Sequence, residues 1–405
     1  MSVLPPRLST FGGNGNFQMT NNKELQILID FENTNLNFDK PVEIIQTYKL
    51  SETENCFAEM EKAAAKGYFL AGFMSYEAGY AFENVLQQKN QFDFPLLCFG
   101  VYPNYGNGGA KGDVMRNTQG VSHDAAPTEP PFNISKNQYH QRITKIQEYI
   151  AAGDTYQITF CVKKKFRYES DTHQLYRRLL NFQPVPYPAF IKHEDFNILS
   201  LSPEMFVKKH NSHLTTKPMK GTLLRDGSII NNIYGKTWLH HDAKNRAENI
   251  MITDLLRNDL GKICKKGSVK TTRLCEVAKY RTVFQMTSTV EGETNKEIPF
   301  IEIFRAIFPS GSVTGAPKVR SMEIIRELEP EERKIYTGTI GYVTPNRDLF
   351  FNVPIRTILV PSLSTQTSHP SAEMGIGGGI TWYSTPEGEY DECITKARFL
   401  DLALL

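Results

Sequence analysis

The sequence predicts an α+β protein built on large antiparallel sheets. Strand-like and helix-like runs are mixed, without the regular βα alternation of a parallel sheet, and no internal repeat divides the chain. At 405 residues the chain exceeds a usual single domain, yet β-rich folds run this long around one continuous core.

The elements follow in chain order. A helical pattern ends near Lys66-Gly67 and leads into Phe69–Glu77, an apolar run that reads as a buried strand. Pro103 to Pro131 is rich in Gly, Asn and Pro and reads as a long loop or linker, which divides an N-terminal module (1–130) from the remainder (131–405). Leu214-Thr215-Thr216 is a short strand pattern, broken by Pro218. From Asn245 to Leu260, Ala247, Met251 and Leu255 recur every fourth position with Ile252 and Leu256 beside them, the mark of an amphipathic helix that leaves Glu248 off the stripe. Pro361 to Ser371 separates two strand-like runs as a hairpin loop. A last helix has two possible starts: Ser384 with Glu387 as a capping box, or Thr385 as cap with Pro386 in the first turn. Along it Tyr390, Ile394, Ala397 and Leu404 form the buried face, with Glu389 and Glu392 one turn apart on the other side.

Composition excludes more than it assigns. A formal net charge of +2 gives no electrostatic footprint for nucleic acid or a membrane surface. No apolar run approaches the ~20 residues of a membrane span, and Met1 to Asn16 lacks the apolar stretch of a secretory signal, so a cytoplasmic location is expected. Six scattered cysteines without C-x-x-C spacing indicate neither a zinc site nor a disulfide framework. The nine histidines form no zinc-hydrolase cluster. Gly311–Lys318 lacks the Gly-Lys-Ser/Thr ending of a phosphate loop, and Gly375–Ile380 has isoleucine where a dinucleotide fingerprint needs its third glycine.

The most informative stretch is Thr216-Lys217-Pro218-Met219-Lys220-Gly221-Thr222. Lys220 follows a strand and a proline, so it is expected in a turn that points it, and Gly221 lets backbone approach a ligand closely. A lysine whose pKa is lowered by burial or a neighbouring cation becomes an amine nucleophile, a role arginine cannot share. An exposed surface lysine is the bland alternative.

Around it stand Ser202-Pro203-Glu204, Ala247–Leu260, Pro309–Lys318, Tyr336–Tyr342, Ile355-Arg356-Thr357, Gly377–Ile380 and Glu389–Glu392. In this order they resemble the chorismate-utilising enzymes, which include anthranilate synthase component I, aminodeoxychorismate synthase component I, isochorismate synthase and salicylate synthase. The resemblance is dense from about Tyr139 to Phe399. It implies a sandwich-like core of two antiparallel sheets flanked by helices and makes 131–405 the chorismate-binding catalytic domain.

By default, glutamates off an apolar stripe are solvated. The resemblance implies instead that Glu248 and Glu392 ligate Mg²⁺, with Glu389 a nearby carboxylate and Asn245 standing where relatives carry an acid. Arg356, Tyr336 and Gly379 match contacts to the enolpyruvyl carboxylate of chorismate, and Thr222, Ser312 and Gly377 match contacts to its ring carboxylate. These donor types suit a dicarboxylate, since they comprise a planar guanidinium fork, a phenol, and backbone N–H groups unhindered by Cβ.

Two positions discriminate among chemistries. Isochorismate and salicylate synthases carry a water-activating lysine where this chain has Gln157, which cannot act as a base, so ammonia is the expected nucleophile. Anthranilate synthases resemble Pro-Ile-Ala-Gly-Thr and aminodeoxychorismate synthases Pro-Ile-Lys-Gly-Thr; Pro218–Thr222 is of the second kind. The implied reaction converts chorismate and ammonia to 4-amino-4-deoxychorismate, a precursor of 4-aminobenzoate and folate. Anthranilate synthesis and non-catalytic chorismate binding are the alternatives. Glu204 is a candidate acid or base, or else a salt-bridged structural glutamate. Gln285 replaces a histidine usual in relatives; it can donate a hydrogen bond but not a proton. No glutaminase motif is present, which implies a glutamine amidotransferase subunit as partner.

Overall fold

The computed structural model describes residues 24–107, 132–168, 170–225, 229–279, 283–362 and 371–404. Most of the expected linker (108–131) and most of the expected hairpin loop (363–370) lie outside them.

Two antiparallel sheets form the centre. The first has nine strands in the order Gly315–Ala316, Gln157–Arg167, Ser371–Ile380, Thr357–Pro361, Phe196–Ser202, Tyr187–His193, Leu25–Ile29, Leu36–Phe38 and Gly106–Asn107. The second follows the path Met219–Leu224, Val283–Glu293, His213–Lys217, Glu204–His210, Leu349–Val353, Thr339–Val343, Phe69–Met74, Leu97–Tyr102 and Glu43–Thr47, and Lys270–Lys279, paired to Val283–Glu293 off this path, makes it ten-stranded. The expected N-terminal module of 1–130 supplies three strands to each sheet.

The sheets meet face to face. Ile27, Ile191 and Ile198 of the first sheet and Ala71, Phe73 and Ile340 of the second share one buried cluster. Phe73 meets Phe196 edge-on at 5.9 Å, and Phe350 meets Tyr187 at 5.8 Å. These aromatic pairs across the interface make the expected sandwich a packed core. Helices cover the outer faces, as where Phe57 of Thr53–Ala65 and Phe304 of Phe300–Ile307 lie 5.5 Å apart.

Local signals settle several elements. The helix Thr53–Ala65 stops at Gly67, whose φ of +86° suits glycine, and the strand Phe69–Met74 follows. Pro218 separates His213–Lys217 from Met219–Leu224. Thr385 caps the last helix, Pro386–Leu404, accepting the Gly388 amide at 3.2 Å, while the Ser384 hydroxyl turns to Glu389 at 2.6 Å.

Two expectations are corrected. Lys220 lies within a strand, not a turn: the register of Met219–Leu224 against Val283–Glu293 slips between Met219↔Thr287 and Thr222↔Gln285. A β-bulge at Lys220-Gly221, with Gly221 at φ +83°, does the pointing that a turn was expected to do. The helix is Ala243–Gly261, and its buried face is Asn249, Ile252, Thr253, Leu256, Asp259 and Leu260, while Ala247 is exposed. Hydrophobic periodicity misjudged this face because half of it is polar and internally bonded. Thr253 donates to Asn249 O at 2.6 Å, and Asp259 pairs with Lys318 at 2.6 Å.

Candidate active site

One end of the glycine strand Ser371–Ile380 gathers the predicted residues. Its neighbour Gln157–Arg167 sets Gly377 opposite Cys161 and Gly379 opposite Thr159. A Cβ on Gly379 would stand 2.4 Å from Gln157 Nε2 and 3.1 Å from Lys220 Nζ, so the missing side chain is what admits both groups. The Gln157 carboxamide is buried, and neither its oxygen nor its nitrogen has a hydrogen-bond partner among the described residues. A buried amide in that state is set for a ligand.

Lys220 is held below its ordinary pKa chiefly by burial, against the charges of Glu248 and Glu204. The amine form is thereby favoured. Glu204 is buried beside it and its carboxyl is pushed up to about 7 by burial; the Ser312 hydroxyl donates to it at 2.5 Å and opposes the shift. Ser312, expected to meet substrate, has its hydroxyl bonded to Glu204. Gln285 is buried in Val283–Glu293, opposite Thr222 across the bulge; the Thr222 side chain lies outside the described atoms.

Burial of Glu204 has a thermodynamic consequence. Its folded-state pKa, near 7, lies above the ordinary 4.5, so the native state binds a proton more tightly than the unfolded chain does. The stability this contributes is complete below pH 4.5 and is lost as pH rises through about 7, a change of roughly 3 kcal/mol. Glu77, also pushed up by burial to about 7, acts in the same direction. Urea unfolding of Glu204→Gln across pH 4.5–8 is expected to show a flatter profile and a gain at pH 8; an unchanged slope would contradict it.

Arg356 has φ +52° and sits just before Thr357–Pro361, the other neighbour of the glycine strand. Burial alone draws its pKa down, and its guanidinium makes no hydrogen bond or ion pair with the described residues. A partly buried cation without a counter-ion is a site for an anion. Tyr336 is buried against the same strand: a Cβ on Gly375 would fall 2.2 Å from its ring. That close contact sets Tyr336 as a wall of the site.

The acids converge on Gly378. A Cβ there would lie 3.0 Å from Glu389 Oε2 and 3.6 Å from Glu392 Oε1. Glu389 is raised by burial and by the charge of Glu392, while Glu392, which burial also pushes up, is brought below its ordinary value by Lys396. Glu248, from the other helix, acts by its charge on Lys220, and among the described residues it does not fall into one ligand cluster with Glu389 and Glu392. Two carboxylates around a cradle that a Cβ would fill are the hard oxygen donors that suit a divalent cation such as Mg²⁺, with the Lys396 ammonium 3.7 Å from the same point. Asn245 donates to Asp242 through its backbone N–H and its Nδ2, both at 2.8 Å, so Asp242 caps the helix and holds Asn245.

Sequence reasoning missed Lys396. Its ammonium sits 2.6 Å from Glu392 and donates to Gly377 O at 2.8 Å. The i,i+4 spacing from Glu392 was the available signal.

This fold and this gathering of lysine, acids and glycines define a class. The chain belongs to the chorismate binding enzyme family, which matches residues 16–401. It is 38% identical over 274 residues to aminodeoxychorismate synthase component 1 of Bacillus subtilis, a stretch covering 68% of this chain and 56% of that protein. Anthranilate synthase component 1 of Aquifex aeolicus is 32% identical over 281 residues, covering 68% and 56%. The match thus spans little more than half the length of these relatives. In fold, the chain is similar to the crystal structure of anthranilate synthase component I from Streptococcus pneumoniae, with TM-score 0.71, 24% identity and coverage of 96% and 94% of the two chains. Among the described residues no helix is long and apolar enough to cross a membrane.

Proposed function

We propose that this protein is the chorismate-aminating component of an aminodeoxychorismate synthase, joining chorismate and ammonia to give 4-amino-4-deoxychorismate. The observation that carries the reading is Lys220, standing at Gly379 beside Gln157 with its amine favoured by burial. Lys220 attacks ring carbon C2 while the hydroxyl at C4 departs. Ammonia then adds at C4 and the C2–N bond breaks, returning the amine to Lys220 and leaving the enolpyruvyl group in place. Glu204, near neutrality in pKa, is placed to exchange the proton that Lys220 loses and regains. Gln157, with an unused carbonyl and amide, would orient ammonia, and Gln285 would hydrogen-bond the departing hydroxyl. Mg²⁺, held by Glu248 and Glu392 with Glu389 alongside, would polarise the ring carboxylate. Arg356 takes the enolpyruvyl carboxylate through its fork, and the N–H groups of Gly377 and Gly379 line the ring.

Ammonia comes from a separate glutamine amidotransferase subunit, and ammonium salts replace it in vitro. The test is mass and fluorescence analysis of the product from chorismate, Mg²⁺ and ammonium. Anthranilate, or no turnover with chorismate still bound, would sink the assignment.

Arg356→Lys is expected to weaken chorismate binding by roughly 1.5–3 kcal/mol, because the charge stays but the bidentate fork is lost. Equilibrium dialysis reads this directly. An unchanged affinity removes Arg356 from the pocket.

A further inference from the structure

The strand Gln157–Arg167 is covered on one side by the glycine strand along its length. On its other side, among the described residues, only the two-residue strand Gly315–Ala316 pairs with it, at Gln157 and Ile158. Beyond that point its outward backbone groups meet loops and side chains. Thr159 N donates to Thr314 O at 2.8 Å, and Cys161 N donates to Glu329 Oε1 at 2.9 Å. Thr159 O accepts from Arg333 Nη2 at 2.6 Å. Glu329 and Arg333 are themselves joined twice, at 2.8 and 2.6 Å. One carboxylate and one guanidinium thus supply the acceptor and the donor that a neighbouring strand would have offered.

Arg333 reaches further. Its Nη1 donates to Val313 O at 2.7 Å and to Thr337 Oγ1 at 3.2 Å, and its fork lies over the Tyr76 ring at 4.4 Å. Val313 adjoins Ser312, whose hydroxyl holds Glu204. Thr337 adjoins Tyr336 and donates to its carbonyl at 2.6 Å. The segments bearing Ser312 and Tyr336 and the strand opposite Gly377 and Gly379 therefore share one fastening.

We propose that Arg333, braced by Glu329, is a positioning residue for substrate binding, fixing the turns of Ser312 and Tyr336 against the glycine strand at the separation a chorismate-sized dianion requires. The inference rests on the chorismate reading above. A lysine at 333 keeps the charge but offers a single ammonium in place of a planar fork, and cannot serve Thr159, Val313, Thr337 and Glu329 together. Lys220 is not among the groups Arg333 holds, and Arg333 reaches Glu204 only indirectly, through the backbone between Val313 and Ser312, so binding is expected to suffer more than the chemical step at saturation.

The test compares wild type with Arg333→Lys, Glu329→Gln and Thr337→Ala. For each, chorismate affinity is measured by equilibrium dialysis with Mg²⁺, kcat and KM with ammonium, and the melting temperature by circular dichroism. Arg333→Lys is expected to raise Kd and KM about tenfold or more while kcat changes less than about threefold; Thr337→Ala, which loses one bond to the fork, is expected to raise KM a few-fold at an unchanged melting temperature. A lower melting temperature with wild-type KM in the folded fraction makes Arg333 structural only and overturns the proposal. Should Arg333→Lys not fold, the other two variants decide, and wild-type affinity in both overturns it. Wild-type protein that binds no chorismate removes the functional reading itself, and the inference with it.

Discussion

Lys220→Ala is expected to slow amination at C4 on the order of 10³-fold or more, because it deletes the amine on which the proposed two-step route depends. A second cation near the site, Lys396, is tied to Glu392 and to Gly377 O and keeps its proton, its pKa being raised by Glu392 against burial. The fold should survive, since the substitution removes a group whose charged form burial disfavours. With chorismate, Mg²⁺ and no ammonia, wild-type enzyme should accumulate an adduct of chorismate less water on the peptide containing Lys220. The substituted chain reads Pro-Met-Ala-Gly-Thr, so residual turnover is expected to shift towards anthranilate. Intact-protein mass spectrometry without an adduct, together with native-rate amination by Lys220→Ala, would refute the nucleophilic role and leave chorismate binding standing.

Glu248→Gln and Glu392→Gln are each expected to abolish turnover without unfolding the protein. Each removes an anionic oxygen that the proposed metal site draws on, and an amide is a poor substitute in a site for a hard dication. Glu392→Gln carries a second effect, since it releases the Lys396 ammonium that now lies 2.6 Å away. Titration calorimetry of Mg²⁺ in the absence of chorismate separates metal binding from catalysis: both variants should lose the heat that wild type shows. Wild-type turnover in excess chelator would falsify the metal assignment.

Much of the site was legible because its chemistry is local. Gly221 before a helix carrying Glu248, a glycine run before a helix carrying Glu389 and Glu392, and a strand-breaking Pro218 are short-range signals, and each marks backbone that must come close to something. What escaped was relational. The bond that ties Ser312 to Glu204, distant in sequence and 2.5 Å from its hydroxyl, has no local signal. The helix Ala243–Gly261 buries Asn249 and Asp259, whose partners Ser288 and Lys318 come from elsewhere in the chain, so no apolar pattern could identify the inward face. The antiparallel class followed from the lack of βα alternation. The interleaving of early strands into both sheets did not follow, because edge order is set by pairings between remote segments.

That interleaving imposes a timetable on the nascent chain. Gly379 pairs with Thr159, more than half the chain length earlier. Leu25–Ile29 finds Leu36–Phe38 at once, but its other edge waits for Tyr187–His193 and the pairing Ile27↔Ile191. While the ribosome is still short of residue 371, the strand Gln157–Arg167 has no long partner and its backbone edge stays open to other chains, even where Tyr139 can already cover Phe160. Contacts this remote fold slowly and invite association in transit. The glycine strand that forms the cradle is thus also the bolt that closes the sheet, so expression yield should respond to growth temperature and chaperone supply more steeply than the stability of the finished protein would suggest.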